Sequence, residues 1–182
     1  TSATIAVSLW ANDERTDCVQ SGRNEFRARP GPMIEVVMHG TRRLAESGSD
    51  AVGTYLQLAP GEDRADAAEP DPAIMGRGRT VYNLHCGTCH LPTGLGDTEM
   101  GPRLNRGSLV VQSDNPASMI NTILYGPKVP DFDDFPKRWR VPMDEFRYEL
   151  DDDEVAAVAT YIRNSWDNRA GLVTPDQVAA QR

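Results

Sequence analysis

The chain has 182 residues, of which 39% are hydrophobic, a formal net charge of -8 and a sequence pI near 4.9. That length holds one full domain and part of a second around a sizeable core, and the acidic balance argues against nucleic acid or anionic lipid as partners and for steering toward a basic surface. No apolar run approaches the ~20 residues that a membrane helix needs.

Residues 1–59 read as an incomplete helical lobe. Ser8-Leu9-Trp10 and Gly22-Arg23-Asn24 precede Pro30-Gly31-Pro32-Met33, where Pro32 suits a first helical turn and Gly40 a helix end. A second helix is expected from Ser49 or Asp50, with Val52, Tyr55, Leu56 and Ala59 along one face. Residues 60–72 turn to Gly, Asp, Glu, Ala and Pro, the composition of an exposed linker. From Ala73 to His85 a helix is expected with Ile74, Gly78, Val81, Tyr82 and His85 on one face. A glycine inside a helix costs ~1 kcal/mol against alanine, so Gly78 implies a second helix crossing close to its backbone.

The sharpest signal follows: Cys86-Gly87-Thr88-Cys89-His90. Two thiols three positions apart and an adjacent imidazole are what covalent haem attachment requires, the sulfurs adding to the two vinyl groups and the histidine reaching iron. Zinc would need further ligands, and outside the motif the chain offers only Cys18, His39 and His85. A thioredoxin-like redox site would want alternating strands and helices, which the flanks do not show. Cys18 reads as a small buried hydrophobe.

Leu91 to Arg106 is rich in Gly and Pro and reads as a loop around the haem. A short helix is expected over Pro116 to Tyr125, stopped by Gly126-Pro127, and a Pro- and Asp-rich loop then runs to Pro142. Asp151, with Glu154 three residues on, caps the clearest helix of the chain, along which Val155, Val158, Ala159, Ile162 and Trp166 form one stripe. Residues 171–182 read as a tail. A faint internal repeat relates Gly22, Met33 and Tyr55 to Gly126, Met143 and Tyr161.

On these residues the stretch 73–170 resembles a class I c-type cytochrome domain. Gly78, Tyr82 and Cys86 reproduce that family's Gly-x-x-x-aromatic helix, and Gly101-Pro102-Arg103-Leu104 its Gly-Pro-x-Leu loop, with Pro102 twelve residues after His90. Pro142-Met143-Asp144-Glu145-Phe146 and the run from Leu150 to Trp166 resemble the last haem domain of the cytochrome subunits of bacterial alcohol and gluconate dehydrogenases, with Asp144 where the family usually has proline. Residues 8–59 are similar to the second half of a preceding haem domain, but no attachment motif precedes Met33.

The resemblance implies an all-α, class I cytochrome c fold carrying one covalent haem c. It implies His90 as proximal ligand with the Pro102 carbonyl on its other ring nitrogen, and Tyr82 and Leu104 beside the cofactor. Met143 is the expected sixth ligand and Met100 the runner-up, while Met119 reads as helix core. With both axial positions filled by protein, iron has no open site and the function is electron transfer. The expected role is a periplasmic one-electron carrier between a dehydrogenase and quinone or a terminal oxidase, within a multi-haem subunit and without a catalytic residue of its own. Thioether attachment takes place outside the bacterial cytoplasm, so a signal peptide is expected to have been removed or to lie beyond this chain. The rival expectation is a haem enzyme or gas sensor with a labile sixth ligand, acting on peroxide, nitrite or carbon monoxide.

Overall fold

The computed structural model describes residues 16–17, 19–20, 23–24, 27–28, 33–58, 68–97, 99–105, 108–127 and 142–182. Cys18, Gly22, the Pro30-Gly31-Pro32 turn, most of the 60–72 stretch and the loop over 128–141 lie outside the described residues.

The N-terminal lobe holds a two-residue antiparallel ladder, β1 (Arg23–Asn24) with β2 (Arg27–Ala28), pairing Arg23 with Ala28 and Asn24 with Arg27. Helix α1 (Met33–His39) ends at Gly40 as expected, with Gly40 N–H donating to the Val36 carbonyl at 2.9 Å, although Gly40 is not in the left-handed conformation. Helix α2 (Glu46–Leu58) starts ahead of the expected Ser49, with Glu46 in the first turn where a carboxylate favours the positive helix end. Among its described side chains the buried positions are Ser49 and Gly53, and Tyr55 is 73% exposed. Val52 and Leu56 of the expected face are half-buried, so it is Tyr55 that departs from it, while Ser49, accepting from the Gln20 amide at 2.9 Å, takes an inward position.

The second unit is built on two crossing helices. Helix α3 (Pro72–His85) begins one residue before the expected Ala73, with Pro72 in its first turn and Asp71 capping it by accepting the Ala73 N–H at 2.7 Å. Helix α7 (Asp152–Arg163) carries the capping box its sequence announces. Glu154 N–H donates to the Asp151 carboxylate at 2.8 Å and Asp151 N–H to the Glu154 carboxylate at 3.0 Å. The two meet at Gly78, where a Cβ would stand 2.2 Å from the Ala157 carbonyl oxygen and 2.6 Å from the Tyr161 Cβ. The inferred close crossing is present. Of the expected α3 face, Gly78, Val81 and Tyr82 are buried, whereas Ile74, near the helix start, is 39% exposed and His85, at its end, is exposed too.

The remaining helices are short: α4 (Gly87–His90), α5 (Leu109–Gln112), α6 (Ala117–Tyr125) and α8 (Pro175–Ala179). Helix α6 ends at Gly126, φ +65, as expected. The C-terminal segment is more than a tail, since Thr174 and Gln177 form a second capping box and Val173 and Val178 enter the core. That core gathers Tyr82, Ile120, Leu124, Val155, Val158, Ala159 and Ile162 around the α3–α7 crossing. The architecture is helical, in agreement with the all-α expectation.

Helix α7 stops at Arg163, so Trp166 does not continue its stripe. The chain turns back through two residues at positive φ, Trp166 at 53° and Asp167 at 69°. L-residues hold that conformation at a cost of order 1 kcal/mol, less for aspartate than for most. Asp167 is exposed. Asp167→Gly should therefore stabilise the fold by about 0.5–1 kcal/mol, read as a rise of about 1–4 °C in the unfolding midpoint.

Candidate haem site

Helix α4 is a single turn whose geometry follows from the spacing of its residues. Cys86, Cys89 and His90 stand at i, i+3 and i+4, which one helical turn brings to the same side. The turn is continuous with α3: Cys86 N–H donates to the Tyr82 carbonyl at 2.8 Å, and His90 N–H to the Cys86 carbonyl at 3.0 Å. Both cysteines are free thiols and half-buried. Burial, with Cys89 beside it, pushes the Cys86 thiol up to about 12, so it stays protonated.

His90 is 7% exposed, and its Nδ1 lies 2.7 Å from the Pro102 carbonyl oxygen. A carbonyl can only accept, so Nδ1 carries the proton and Nε2 keeps its lone pair. Burial lowers the pKa of His90 from its ordinary value, against a smaller upward pull from the bond to Pro102. The ring is a neutral imidazole with one nitrogen committed and the other available, the state a metal ligand requires.

The loop that carries Pro102 is folded tightly back on the turn. Gly96 N–H donates to the His90 carbonyl at 3.0 Å, an isolated bridge closes Asp97 on Gly101, and the Gly94 carbonyl accepts from Leu104 and Asn105 at 2.8 and 3.1 Å. A Cβ on Gly101 would lie 3.3 Å from His90 Cε1, so that glycine packs directly on the ring. Met100 sits in the turn closed by this bridge, held by the Asp97 carboxylate at 3.2 Å from its N–H, and is 37% exposed. It therefore shares the loop of Pro102.

Tyr82, fully buried, donates its hydroxyl to the Leu91 carbonyl at 2.6 Å, fixing the residue after His90 in its positive-φ turn. Burial, with Cys86 and Tyr161 nearby, raises its phenol above the usual range, so the hydroxyl remains a donor. Its ring lies 5.5 Å from Tyr161 and 5.0 Å from Trp166.

Met143 enters from another part of the fold. Its loop is anchored to the end of α6 by Phe146 N–H on the Ile123 carbonyl and Arg147 N–H on the Leu124 carbonyl, both at 3.1 Å. The Met143 backbone tucks against Gly126, whose Cβ would lie 2.8 Å from the Met143 carbonyl. Met143, Leu104 and Cys86 are all half-buried against the one apolar core, and Met119 is inside it at 4% exposure. His85 faces Glu149 at 3.9 Å and meets the Phe146 ring edge-on, while His39 pairs with Glu35 at 3.3 Å in the N-terminal lobe. Among the described residues, no three His, Cys, Asp or Glu side chains cluster to hold a metal ion, and no helix is long and apolar enough to cross a membrane.

The donors fit an iron porphyrin: two thiols for thioether bonds, a neutral imidazole beside them and a thioether on a separate loop against the same apolar core. The sequence reading missed the residues that brace the loop from behind, Trp166, Asn168 and Gln112. Trp166 donates to the Pro92 carbonyl at 3.0 Å, and Asn168 to the Leu104 carbonyl at 2.8 Å. The amides of Asn168 and Gln112 carry no periodic signal, and the apolar spacing places Trp166 on a helix stripe that ends before it, so only the fold reveals the brace.

A helical domain with this attachment turn defines a protein of the covalent-haem class. The family model for cytochrome c matches residues 75–166, just over half of the chain, and the chain belongs to the cytochrome c family. Family membership implies covalent haem c, with Cys86 and Cys89 at the spacing of the attachment motif. The chain is similar to the alcohol dehydrogenase (quinone) cytochrome c subunit of Gluconobacter oxydans (strain 621H), 29% identical over 97% of this chain and 38% of the relative. It is similar also to the gluconate 2-dehydrogenase cytochrome c subunit of Pantoea cypripedii, 27% identical over 97% and 42%, and to the fructose dehydrogenase cytochrome subunit of Gluconobacter japonicus, 22% identical over 97% and 41%. The chain spans about two-fifths of the length of these curated relatives.

Proposed function

We propose that the chain is a periplasmic one-electron carrier, part of the cytochrome subunit of a dehydrogenase, passing electrons toward quinone or a terminal oxidase. The observation that carries this reading is the single turn presenting Cys86, Cys89 and a neutral His90 whose Nδ1 is committed to Pro102. Cys86 and Cys89 hold the cofactor by thioethers, His90 Nε2 is the proximal ligand, and Met143 the sixth. Haem c, when bound, supplies the ferric/ferrous couple. Met100 is disfavoured because it shares the loop of Pro102, which packs on the His90 ring. The relatives' names support a dehydrogenase as partner, and attachment outside the bacterial cytoplasm supports the periplasm. The haem domain runs from Pro72 and includes the packed C-terminal segment 171–182, the stretch from 60 up to it is the linker, and 1–59 is a partial cytochrome-like lobe that serves docking or belongs to a second haem domain.

The test is carbon monoxide added to the reduced haem protein. Two protein ligands on iron leave the spectrum unchanged over minutes. Rapid binding would sink the carrier reading and favour a haem enzyme or gas sensor.

A further inference from the structure

The turn that follows helix α7 grips the Pro102 loop at both ends. At one end Trp166 donates to the Pro92 carbonyl at 3.0 Å, and its ring lies so close to Gly94 that a Cβ there would come within 2.4 Å of Trp166 Cε3. At the other end stands Asn168, 3% exposed. Its amide nitrogen donates to the Leu104 and Ile162 carbonyls, both at 2.8 Å, and its oxygen accepts from the Gln112 amide, itself 1% exposed. Two donors face two carbonyls and the acceptor faces an N–H, so only one orientation of the Asn168 amide is satisfied. The Gln112 bond locks that orientation, and Leu104, two residues beyond Pro102, is held from the turn after helix α7.

We propose that Asn168 is a positioning residue for His90: by pinning the Leu104 carbonyl it keeps the Pro102 carbonyl on Nδ1 and so sets the donor strength of the iron-bound imidazole. The proposal rests on reading His90 as the axial ligand. A hydrogen bond from Nδ1–H makes the ring a stronger donor to iron, which favours the ferric state. Loosening the acceptor weakens that donation, so the midpoint potential rises.

The experiment compares the haem-loaded full chain with Asn168→Ala, and with Asn168→Ser as a smaller cut should the alanine variant fail to accumulate. Thr160→Val serves as control. Thr160 is as buried, in helix α7 ahead of the turn that carries Asn168, and bonds Val173 through its hydroxyl at 3.0 and 3.3 Å, away from the Pro102 loop. Voltammetry gives the potential, and proton NMR of the oxidised protein gives the solvent exchange of the His90 Nδ1 proton. The Asn168 variants should show a raised potential and exchange faster by about three- to tenfold, the factor for weakening one hydrogen bond. Thr160→Val should lose stability with neither change. Asn168 variants that lose stability like Thr160→Val, with potential and exchange unmoved, overturn the proposal. If the unaltered protein shows no iron-bound His90 imidazole, the ligand assignment itself falls, a result distinguishable because it appears before any substitution.

Discussion

Gly78→Ala should destabilise the protein while Gly76→Ala, in the same helix, should stabilise it. Both exchanges gain up to ~1 kcal/mol of helix propensity, because alanine loses less backbone freedom on folding than glycine. What separates them is the neighbourhood. A Cβ on Gly76 meets nothing within 4 Å, whereas on Gly78 it would stand 2.2 Å from the Ala157 carbonyl oxygen and 2.8 Å from the Ala157 carbonyl carbon. Those are backbone atoms of α7, so no rotamer change relieves the overlap and the two helices must part. Overpacking of a close-packed contact costs ~1–3 kcal/mol and more where backbone must move, which outweighs the propensity gain. The expected net is a loss of about 1–2 kcal/mol for Gly78→Ala, or roughly 2–8 °C in the unfolding midpoint, against a gain of up to ~1 kcal/mol for Gly76→Ala. Thermal melts of the two variants decide it. Equal effects of one sign would mean that α3 and α7 do not cross there.

On the proposed assignment of Met143 as sixth ligand, Met143→Ala should let the reduced haem protein bind carbon monoxide, which the unaltered protein should not. With the thioether gone, the sixth position is left to water or exogenous ligands. The potential should fall by on the order of 0.1 V, part of the roughly 0.8 V range that axial ligands span, because loss of a thioether removes its preference for ferrous iron. Met100→Ala should leave both properties as they were. The loop itself should survive the exchange, since its anchors are the Phe146 and Arg147 N–H groups and the Phe146 and Leu150 side chains rather than Met143. Carbon monoxide titration of the pair checks this, and the reverse pattern would transfer the sixth-ligand role to Met100.

What could be read from the sequence is what local chemistry dictates. The Cys86 to His90 turn, the Asp151–Glu154 capping box, the Gly126 stop and the close approach at Gly78 each follow from a few adjacent residues. Helix α8 was legible in the same way, through Thr174 and Gln177, yet its apolar residues are too few to register as a period. Helix α5, four residues long, falls below any periodic signal. Arg163 looks like an ordinary basic residue of a last helical turn. In the fold it is 1% exposed and donates to the carbonyls of Val111, Ser113 and Gly171, each at 2.8 Å, a role fixed by distant chain segments. Tyr55 and Trp166 misled for the opposite reason, because their spacing suggested faces that a buried serine and an early helix end overrode.

The long-range brace also has a consequence for the order in which the domain matures. The bonds that form the Cys86–His90 turn join residues four apart, whereas those from Trp166 and Asn168 to Pro92 and Leu104 span 74 and 64 positions. Local contacts form first, and distant ones wait for the whole intervening chain. A chain that emerges N-terminus first, as the proposed export would require, therefore presents its two thiols while the residues that brace the loop behind them are still to come. The clamp closes only once Trp166 and Asn168 have arrived, so thioether chemistry on the more open loop has an interval before the half-buried thiols of the finished fold are set.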